Sequence, residues 1–431
     1  MMNTPAVQAL AERWANELDA VEAAAPASWV ASLRERARAE FRASGLPHRK
    51  VEDWKYTPVR LLAESAPRLG RAGSGSGRYA EPLVDGAARL DLAGDSVDGA
   101  FPELPGGATV CYLRDIPEEL EPQVRGLLEG VEISGPGRAF AALNTVFLDQ
   151  ALVIHVPESV DAGRLLVRWG ATGDIDPAFS QARILLLLEK GSRLEMIEQF
   201  DSGADGALNV MLQAVLADGA DWRHVRLQNE TDQSVLFTST SVEQAADSRY
   251  TCNSFDLGGG LVRHEVDTVL AGPGAHADLG GAFVLDERRH VDNHISVDHA
   301  APDCSSEQFF RGVLGGRSRG VFNGRALIRA GADGSSVVQS NANLLLSWLA
   351  EIDTKPELEI YADEVEASHG ATVGQLDESA VFYLRSRGLS DEAARRMLTA
   401  AFCHAVSDRL DDRELANKVA AMLDDAMPEG E

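Results

Sequence analysis

Three patterns of apolar and polar residues follow one another along the chain. In the first, Leu10, Trp14, Leu18 and Val21 recur at helical spacing, and Trp29, Leu33 and Phe41 continue the pattern after a break at Pro26. The stretch HRKVEDWKYTPV (48–59) then mixes aromatic and charged side chains around a proline, and GRAGSGSGR (70–78) reads as a flexible linker or loop by composition. From about Ser134 the apolar residues come in short or alternating runs ended by Gly, Pro or Asp: ALVIHVPE (151–158), RLLVRWG (164–170) and ARILLLLEKGSRLEMIEQF (182–200). No long helical pattern interrupts these strands until after Asp377. The last pattern is helical again. Ser390 is placed as an N-cap with Asp391 and Glu392 in the first turn, Met397, Leu398, Ala401, Phe402 and Ala405 form one apolar stripe, and a second helix carries Leu415, Val419 and Met422.

The strand region repeats. LEKGSRLEMIEQ, LADGADWRHVRLQ, QAADSRYTCNSFDL and LAGPGAHADLGGAFVL each place a turn of small residues before an alternating strand. The turns at Gly191, Gly219, Ala246 and Gly274 recur roughly every 28 residues, within the range of repeat architectures. One such unit cannot bury both faces, whereas stacked units point alternate residues into a shared interior. A β-solenoid or parallel β-helix is the simplest solution, ahead of a β-sandwich. A doubly wound α/β fold is excluded, because parallel strands there need intervening helices. The chain therefore divides into an N-terminal helical part with the Gly/Ser-rich linker (1–130), a mainly β core (131–377) and a C-terminal helical part (378–431). Two short amphipathic helices at a terminus need a partner surface, either the solenoid end, which they would cap, or another protein.

Composition narrows the function classes. The 431 residues are 45% hydrophobic, enough for a sizeable core. A formal net charge of −27 argues against nucleic acid and anionic membrane as partners, since both require Lys/Arg surfaces. The four cysteines, Cys111, Cys252, Cys304 and Cys403, lie far apart without CxxC or zinc-ligand spacing. The first twenty residues lack the basic and apolar regions of a signal peptide, and no run approaches the length of a membrane span. The expected location is the cytosol, with reduced thiols.

Candidate chemistry is sparse. RRHVDNHISVDHAAPDC gathers His290, His294, His299 and Cys304. Strand alternation puts His290, Asp292, His294, Ser296 and Asp298 on one face, where they could hold a metal or simply meet water as a polar outer face; the second reading is favoured. The glycine-rich stretches DLGGGLVRH (256–264) and VLGGRSRGVFNGR (313–325) match neither GxxxxGK[ST] nor GxGxxG and read as tight turns. There is no GxSxG elbow. EIYADEVEASHGATVG (359–374) is too polar for a central core strand. After a turn at 362–364, Val365, Ala367 and His369 fall on one face and Glu366 and Ser368 on the other.

DTKPELEIYADEVEASHGATVGQLDESAVFYLRSRGLSDEAARRMLTAAF (353–402) resembles the C-terminal signature of the SufB/SufD family of the SUF iron–sulfur cluster assembly machinery, in its SufD wording. Residues 309–347, 140–158 and 45–59 resemble earlier landmarks of the same family, so the likeness spans nearly the whole chain. The resemblance implies a right-handed parallel β-helix flanked by N- and C-terminal α-helical domains. It implies a non-enzymatic subunit that pairs with SufB through β-helix edges and binds the ATPase SufC, with ATP entering only through SufC. Closure of the SufC pair is thought to distort the SufB–SufD interface, where a nascent cluster forms. No cofactor is expected to bind the isolated chain tightly. Iron or an iron–sulfur cluster would be held transiently in the complex, reduced flavin could join it, and a homodimer is open to the isolated chain.

Carried over by residue, His369 matches the family's motif histidine as a candidate ligand of iron or the nascent cluster, with Glu366 and Ser368 beside it as candidate SufB contacts. Tyr383, Arg385, Arg387, Gly388, Met397 and Phe402 fall in the SufC-docking region. The motif commonly has cysteine two residues before the histidine; here Ala367 stands there and cannot ligate metal. Cys304 matches a cysteine of some relatives and reads as a small buried hydrophobe. The competing classes are a carbohydrate-active β-helix enzyme, which would need a long carboxylate-lined groove, a SufB-type paralogue, and a metal protein using His290 and His294.

Overall fold

The computed structural model describes residues 5–21, 28–70, 77–171 and 178–428; Pro26 and most of the Gly/Ser-rich stretch at 70–78 lie outside the described residues. From Leu152 onward, successive strands alternate between two sheets. One contains Leu152–Val156, Ala178–Leu188, Ala207–Leu216, Val235–Gln244, Leu261–Leu270, His290–His299, Arg319–Ile328 and Glu351–Ile360. The other contains Asp161–Gly170, Arg193–Phe200, Asp221–Gln228, Arg249–Asp256, His276–Leu285, Ser305–Leu314, Ser336–Leu345 and Glu366–Gly374. Neighbours within each series are parallel, as a solenoid requires and an antiparallel sandwich does not allow.

The repeat is in register. Arg193, Asp221, Arg249 and His276 open four strands and stand side by side across the sheet. Gly191, Gly219 and Gly274 precede three of them with φ of +65°, +67° and +70°, a conformation in which a Cβ is costly. In the remaining turn the left-handed residue is Asp247, at +55°, one position after Ala246. Asp tolerates that region better than a bulkier residue does, so the turn survives without glycine.

Alternate residues of each strand enter one continuous apolar interior, which includes Trp169, Phe200, Trp222, Tyr250, Leu279, Phe283, Phe310 and Phe322. Trp169 stacks on Phe200 at 5.4 Å, and Trp222 on Tyr250 at 4.7 Å. Within VLGGRSRGVFNGR, Gly316 makes a turn at φ +50°, but Gly320 and Gly324 lie inside the strand Arg319–Ile328. A Cβ on Gly324 would come within 2.8 Å of the Phe322 ring, so close packing, not turning, requires glycine there.

The two ends of the solenoid differ. At the N-terminal end the strand Ala88–Ala93 pairs with Asp161–Gly170, and Thr109–Tyr112 runs antiparallel to Leu152–Val156. Leu90, Leu92 and Val110 thereby join the interior. The stretch 1–130 thus contributes strands as well as helices. Conversely, Ala139–Val146 is a helix placed after the apparent onset of strands. Seven of its eight residues are buried, so it lacks the polar face by which helical periodicity is recognised.

Each sheet carries a helical layer on its outer face. Val7, Leu10, Trp14, Phe41, Trp54 and Phe140 cover Phe179, Val235, Phe237 and Leu261 of the first sheet. The C-terminal helices Asp391–Ser407 and Arg413–Asp425 set Cys403, Val406, Leu415, Val419 and Leu423 on Ile197, Val225, Leu227, Phe255, Val284 and Val313 of the second. They lie along the side of the solenoid and do not cap its end. Three arginines tie this layer down: Arg409 pairs with Asp278 (2.5 Å) and Glu307 (2.9 Å), Arg164 with Asp412 (2.7 Å) and Arg223 with Asp411 (2.7 Å).

The histidine-rich strand His290–His299 has the predicted alternation but not a water-facing outer side. Asn293, Ile295, Val297 and His299 are buried, with Ile295 and Val297 in the interior cluster. On the outer face His290 and Asp292 are covered by the N-terminal segment. Thr57 donates to Asp292 and lies 3.3 Å from His290 Nε2. Arg263 binds Asp292 and Glu265 under the ring of Trp54, 4.2 Å away, and His294 lies 2.9 Å from Asp292. Burial alone would raise the Asp292 carboxyl, but Arg263, His294 and Thr57 hold it well below the usual carboxylate range.

Burial, reinforced by Arg319 and Arg263 and opposed by Asp292, lowers His290 from 6.5 to about 4. A histidine depressed in the folded state contributes stability that is present above its unfolded value and lost as pH falls through the folded one. Between pH 6.5 and 4, His290 should therefore account for a loss of about 3 kcal/mol. Urea unfolding of wild type and His290→Gln across this range tests it: the variant should lose less stability on acidification, and parallel pH profiles would refute the assignment.

Candidate functional site at the open end of the solenoid

Among the described residues, no strand closes the C-terminal end of the solenoid. Glu351–Ile360 and Glu366–Gly374 are the last strands of their sheets, and each pairs on one side only. Two rows of backbone donors and acceptors are thus left free at the same end. Every residue of Glu366–Gly374 is exposed, which explains a strand too polar for a core. It is not a misplaced core strand but one without a successor.

Register decides where His369 points. His369 stands beside Gln339, itself beside Gln308, and Ala367 stands beside Val337. Val337, Gln339, Gln308 and Asn341 are all buried on the inward face of their strands. Ala367, His369, Ala371 and Val373 continue those inward rows at the rim, while Glu366 and Ser368 occupy the outer side. Across the opening, Ile352 and Leu358 extend the buried rows of Gly320 and Ala326 in the same way. His369 therefore sits at the mouth of the interior, exposed because nothing is stacked on it.

The edge strand Glu351–Ile360 carries devices that discourage indiscriminate pairing: Pro356, which lacks an N–H, and an alternation of Glu351, Asp353, Glu357 and Glu359. Arg319 pairs with Glu351 at 3.0 Å, Arg325 with Glu359 at 2.8 Å and Lys355 with Glu357 at 2.7 Å. Burial and the neighbouring Glu351 raise the Asp353 carboxyl. Trp348, 90% exposed, and Leu349 stand on the turn before this strand, and Tyr361 follows it, also exposed.

The helical residues singled out from sequence divide between two faces. Asp377 caps the helix Glu378–Ser386 by accepting from the Ser379 amide at 2.8 Å, and Ser390 caps Asp391–Ser407 through the Ala393 amide at 3.1 Å. Tyr383, Arg385, Arg387 and Gly388 are exposed; Arg387 donates to the Tyr383 hydroxyl at 3.2 Å, and Gly388 has φ +100°. Met397 is exposed with Ala401 and Ala405, whereas Leu398 and Phe402 are half-buried and Arg311 lies 5.7 Å from the Phe402 ring. The apolar stripe is thus split, part against the sheet and part outward. Arg395 links the two helices through Glu378 at 3.0 Å while pairing with Asp391 of its own helix at 2.7 Å. Phe382, 71% exposed and next to Tyr383 in sequence, is a further outward apolar side chain of this layer. The sequence patterns do not single out Phe382 or Trp348. The available signal was a large aromatic in a turn, for Trp348, and in a short, mostly polar helix, for Phe382.

Other candidates do not converge on chemistry. Among the described residues no group of three or more His, Cys, Asp or Glu side chains is arranged to hold a metal ion. Cys304 is buried and donates to the Gly272 carbonyl at 3.3 Å, and burial raises its thiol. The Cys403 thiol is pushed up to about 12 by burial. A cleft of about 560 Å³ between the helix Glu121–Glu129 and the first sheet shares no residue with the open end. Among the described residues no helix is long and apolar enough to cross a membrane.

Comparison with known proteins agrees with this architecture. The family profile described as "SUF system FeS cluster assembly, SufBD core domain" matches residues 171–402. The iron–sulfur cluster assembly protein SufD of Escherichia coli K12 is 30% identical over 401 residues, covering 90% of each chain. A SufBD family protein of Synechocystis is 27% identical, covering 85% of this chain and 84% of that protein. A protein of Arabidopsis thaliana named ABCI7, chloroplastic, is also 27% identical, with 86% and 81% covered. With a parallel solenoid, a profile across its strands and relatives spanning nearly its full length, the chain belongs to the SufB/SufD family of SUF-system proteins and acts in iron–sulfur cluster assembly.

Proposed function

We propose that the chain is a non-catalytic scaffold subunit of a cytosolic SufB–SufC–SufD complex. Its two free strands extend into the sheets of SufB, and the nascent iron–sulfur cluster, the cargo of the complex, forms at that junction. The observation that carries this reading is the pair of unpaired strands ending both sheets at one end, with His369 at the mouth between them. Backbone pairing across such edges supplies affinity, and pockets for alternating side chains supply selectivity. Glu366 and Ser368 lie on the outer side of the junction, where they meet SufB. In isolation, a homodimer is the alternative use of the same edges.

His369 is proposed as an iron or cluster ligand, since neutral imidazole suits iron and thiolate supplies the softer ligands. With Ala367 in the usual cysteine position, those thiolates come from the partner. The outward patch of Phe382, Tyr383 and Met397, flanked by Arg385, Arg387 and Gly388, is the dock for SufC, through which ATP enters; Phe402 supports it from behind. Reduced flavin, where used, binds the assembled complex.

Co-expression with SufB and SufC should yield a stoichiometric complex on purification, and failure to co-purify would sink the scaffold reading. His369→Ala should leave assembly intact while lowering the yield of cluster; a normal yield removes the ligand role. Phe382→Ala and Met397→Ala should each weaken SufC binding tenfold or more, about 1.4 kcal/mol or above, as truncation of an interface anchor does. Because both side chains face solvent, unfolding free energies should stay within about 0.5 kcal/mol of wild type. Unaltered SufC affinity by calorimetry would place the dock elsewhere.

A further inference from the structure

Directly behind His369 the interior is polar in an unusual way. Gln308, Gln339 and His369 form one inward row on three adjacent strands, in register and about 4.8 Å apart. Gln339 is only 3% exposed, yet neither its Nε2 nor its Oε1 has a hydrogen-bond partner. A buried amide with both atoms orphaned is costly, and native structures rarely keep one without a use. The Oε1 of Gln308, one strand further in, is orphaned as well.

Gln308 reaches across the interior to the opposite sheet. Gln308 Nε2 donates to the Arg325 carbonyl at 3.1 Å. Only the amino group of an amide can donate to a carbonyl, so the free atom of Gln308 is its acceptor oxygen. That oxygen points at Gly324 on the opposite sheet, where a Cβ would lie 2.7 Å from it, so Gln308 gives Gln339 no partner from within the row. Neither atom of Gln339 is bonded as it stands, and its Oε1 is the atom able to accept an N–H from the rim. The imidazole of His369 is the side chain in register to provide it.

We propose that Gln339 is a positioning residue for His369: it accepts one ring N–H and so fixes the tautomer that presents the lone pair of the other nitrogen to the partner side. This deepens the ligand reading of His369 and rests on it for its purpose. An oxygen acceptor behind a ligating imidazole is the arrangement that orients the ring and increases its basicity at the metal.

The test uses the full-length chain alone, labelled with 15N-histidine, at about pH 8 where ordinary histidines are neutral. Long-range 1H–15N spectra report the tautomer, and the His369→Ala variant assigns the His369 signals. In wild type one tautomer should predominate by about fivefold to tenfold, the ratio that one hydrogen bond supports. Gln339→Leu should bring the ratio close to that of a free histidine side chain, while Gln339→Glu, which keeps an acceptor oxygen, should retain the bias. Gln339→Met, also without an acceptor, is read in the same way as Gln339→Leu if the latter fails to fold. An unchanged ratio in the leucine or methionine variant overturns the proposal, as does a wild type with no predominant tautomer. The ligand reading fails separately, on a normal cluster yield in His369→Ala, and that outcome leaves the tautomer result standing.

Discussion

Each inner solenoid strand is held by backbone hydrogen bonds to the strand one turn before it and the strand one turn after it, in parallel register. Everything else in the molecule depends on that ladder. It stacks like positions on like, so buried rows such as Tyr250, Ala277, Ser306 and Val337 run along the interior from one turn to the next. No turn can satisfy both its edges or bury its inward residues without a neighbour. A solenoid must therefore be finished at each end by something else, and the two ends of this chain are finished differently.

At the N-terminal end the chain closes the ladder itself, with Ala88–Ala93 and the antiparallel Thr109–Tyr112. At the C-terminal end it stops. The rows that are buried two strands earlier emerge at the rim as Ala367, His369 and Ala371, and the family to which the chain belongs assembles clusters. An open end combines free backbone edges, a side chain able to ligate metal, and a second layer of amides in one place. No loop or pocket elsewhere on the protein does so among the described residues.

The helical layers stiffen the two flanks without covering this end. On the first sheet, a buried network of Arg263, Asp292, Glu265, His294 and Thr57 fastens the N-terminal segment. Replacing such a network by apolar residues can cost little, but removing one partner leaves an uncompensated buried charge, so its members must act together. On the second sheet, Arg409 and Arg164 hold the C-terminal helices at the solenoid's side. That placement leaves Phe382, Tyr383 and Met397 facing outward, available to another protein.

The sequence by itself determined the architecture, because repetition and alternation are local signals. The spacing of Gly191, Gly219 and Gly274, the inward–outward alternation around His369 and the cap at Ser390 were all legible. They follow from backbone geometry that neighbouring residues impose. The terminal motif around His369 also carried the family. Only the tertiary structure decided what covers what. Nothing local distinguishes a histidine that meets water from His290 beneath Thr57, or an outward Met397 from a half-buried Phe402. The buried helix Ala139–Val146 has no polar face to announce it, and the residue in register beside an inward glutamine lies on a strand some thirty residues away in sequence. Burial and cross-strand register are sums over distant contacts. In this chain they decide that the polar strand at the end is the open face of the interior and that Gln339 stands behind His369.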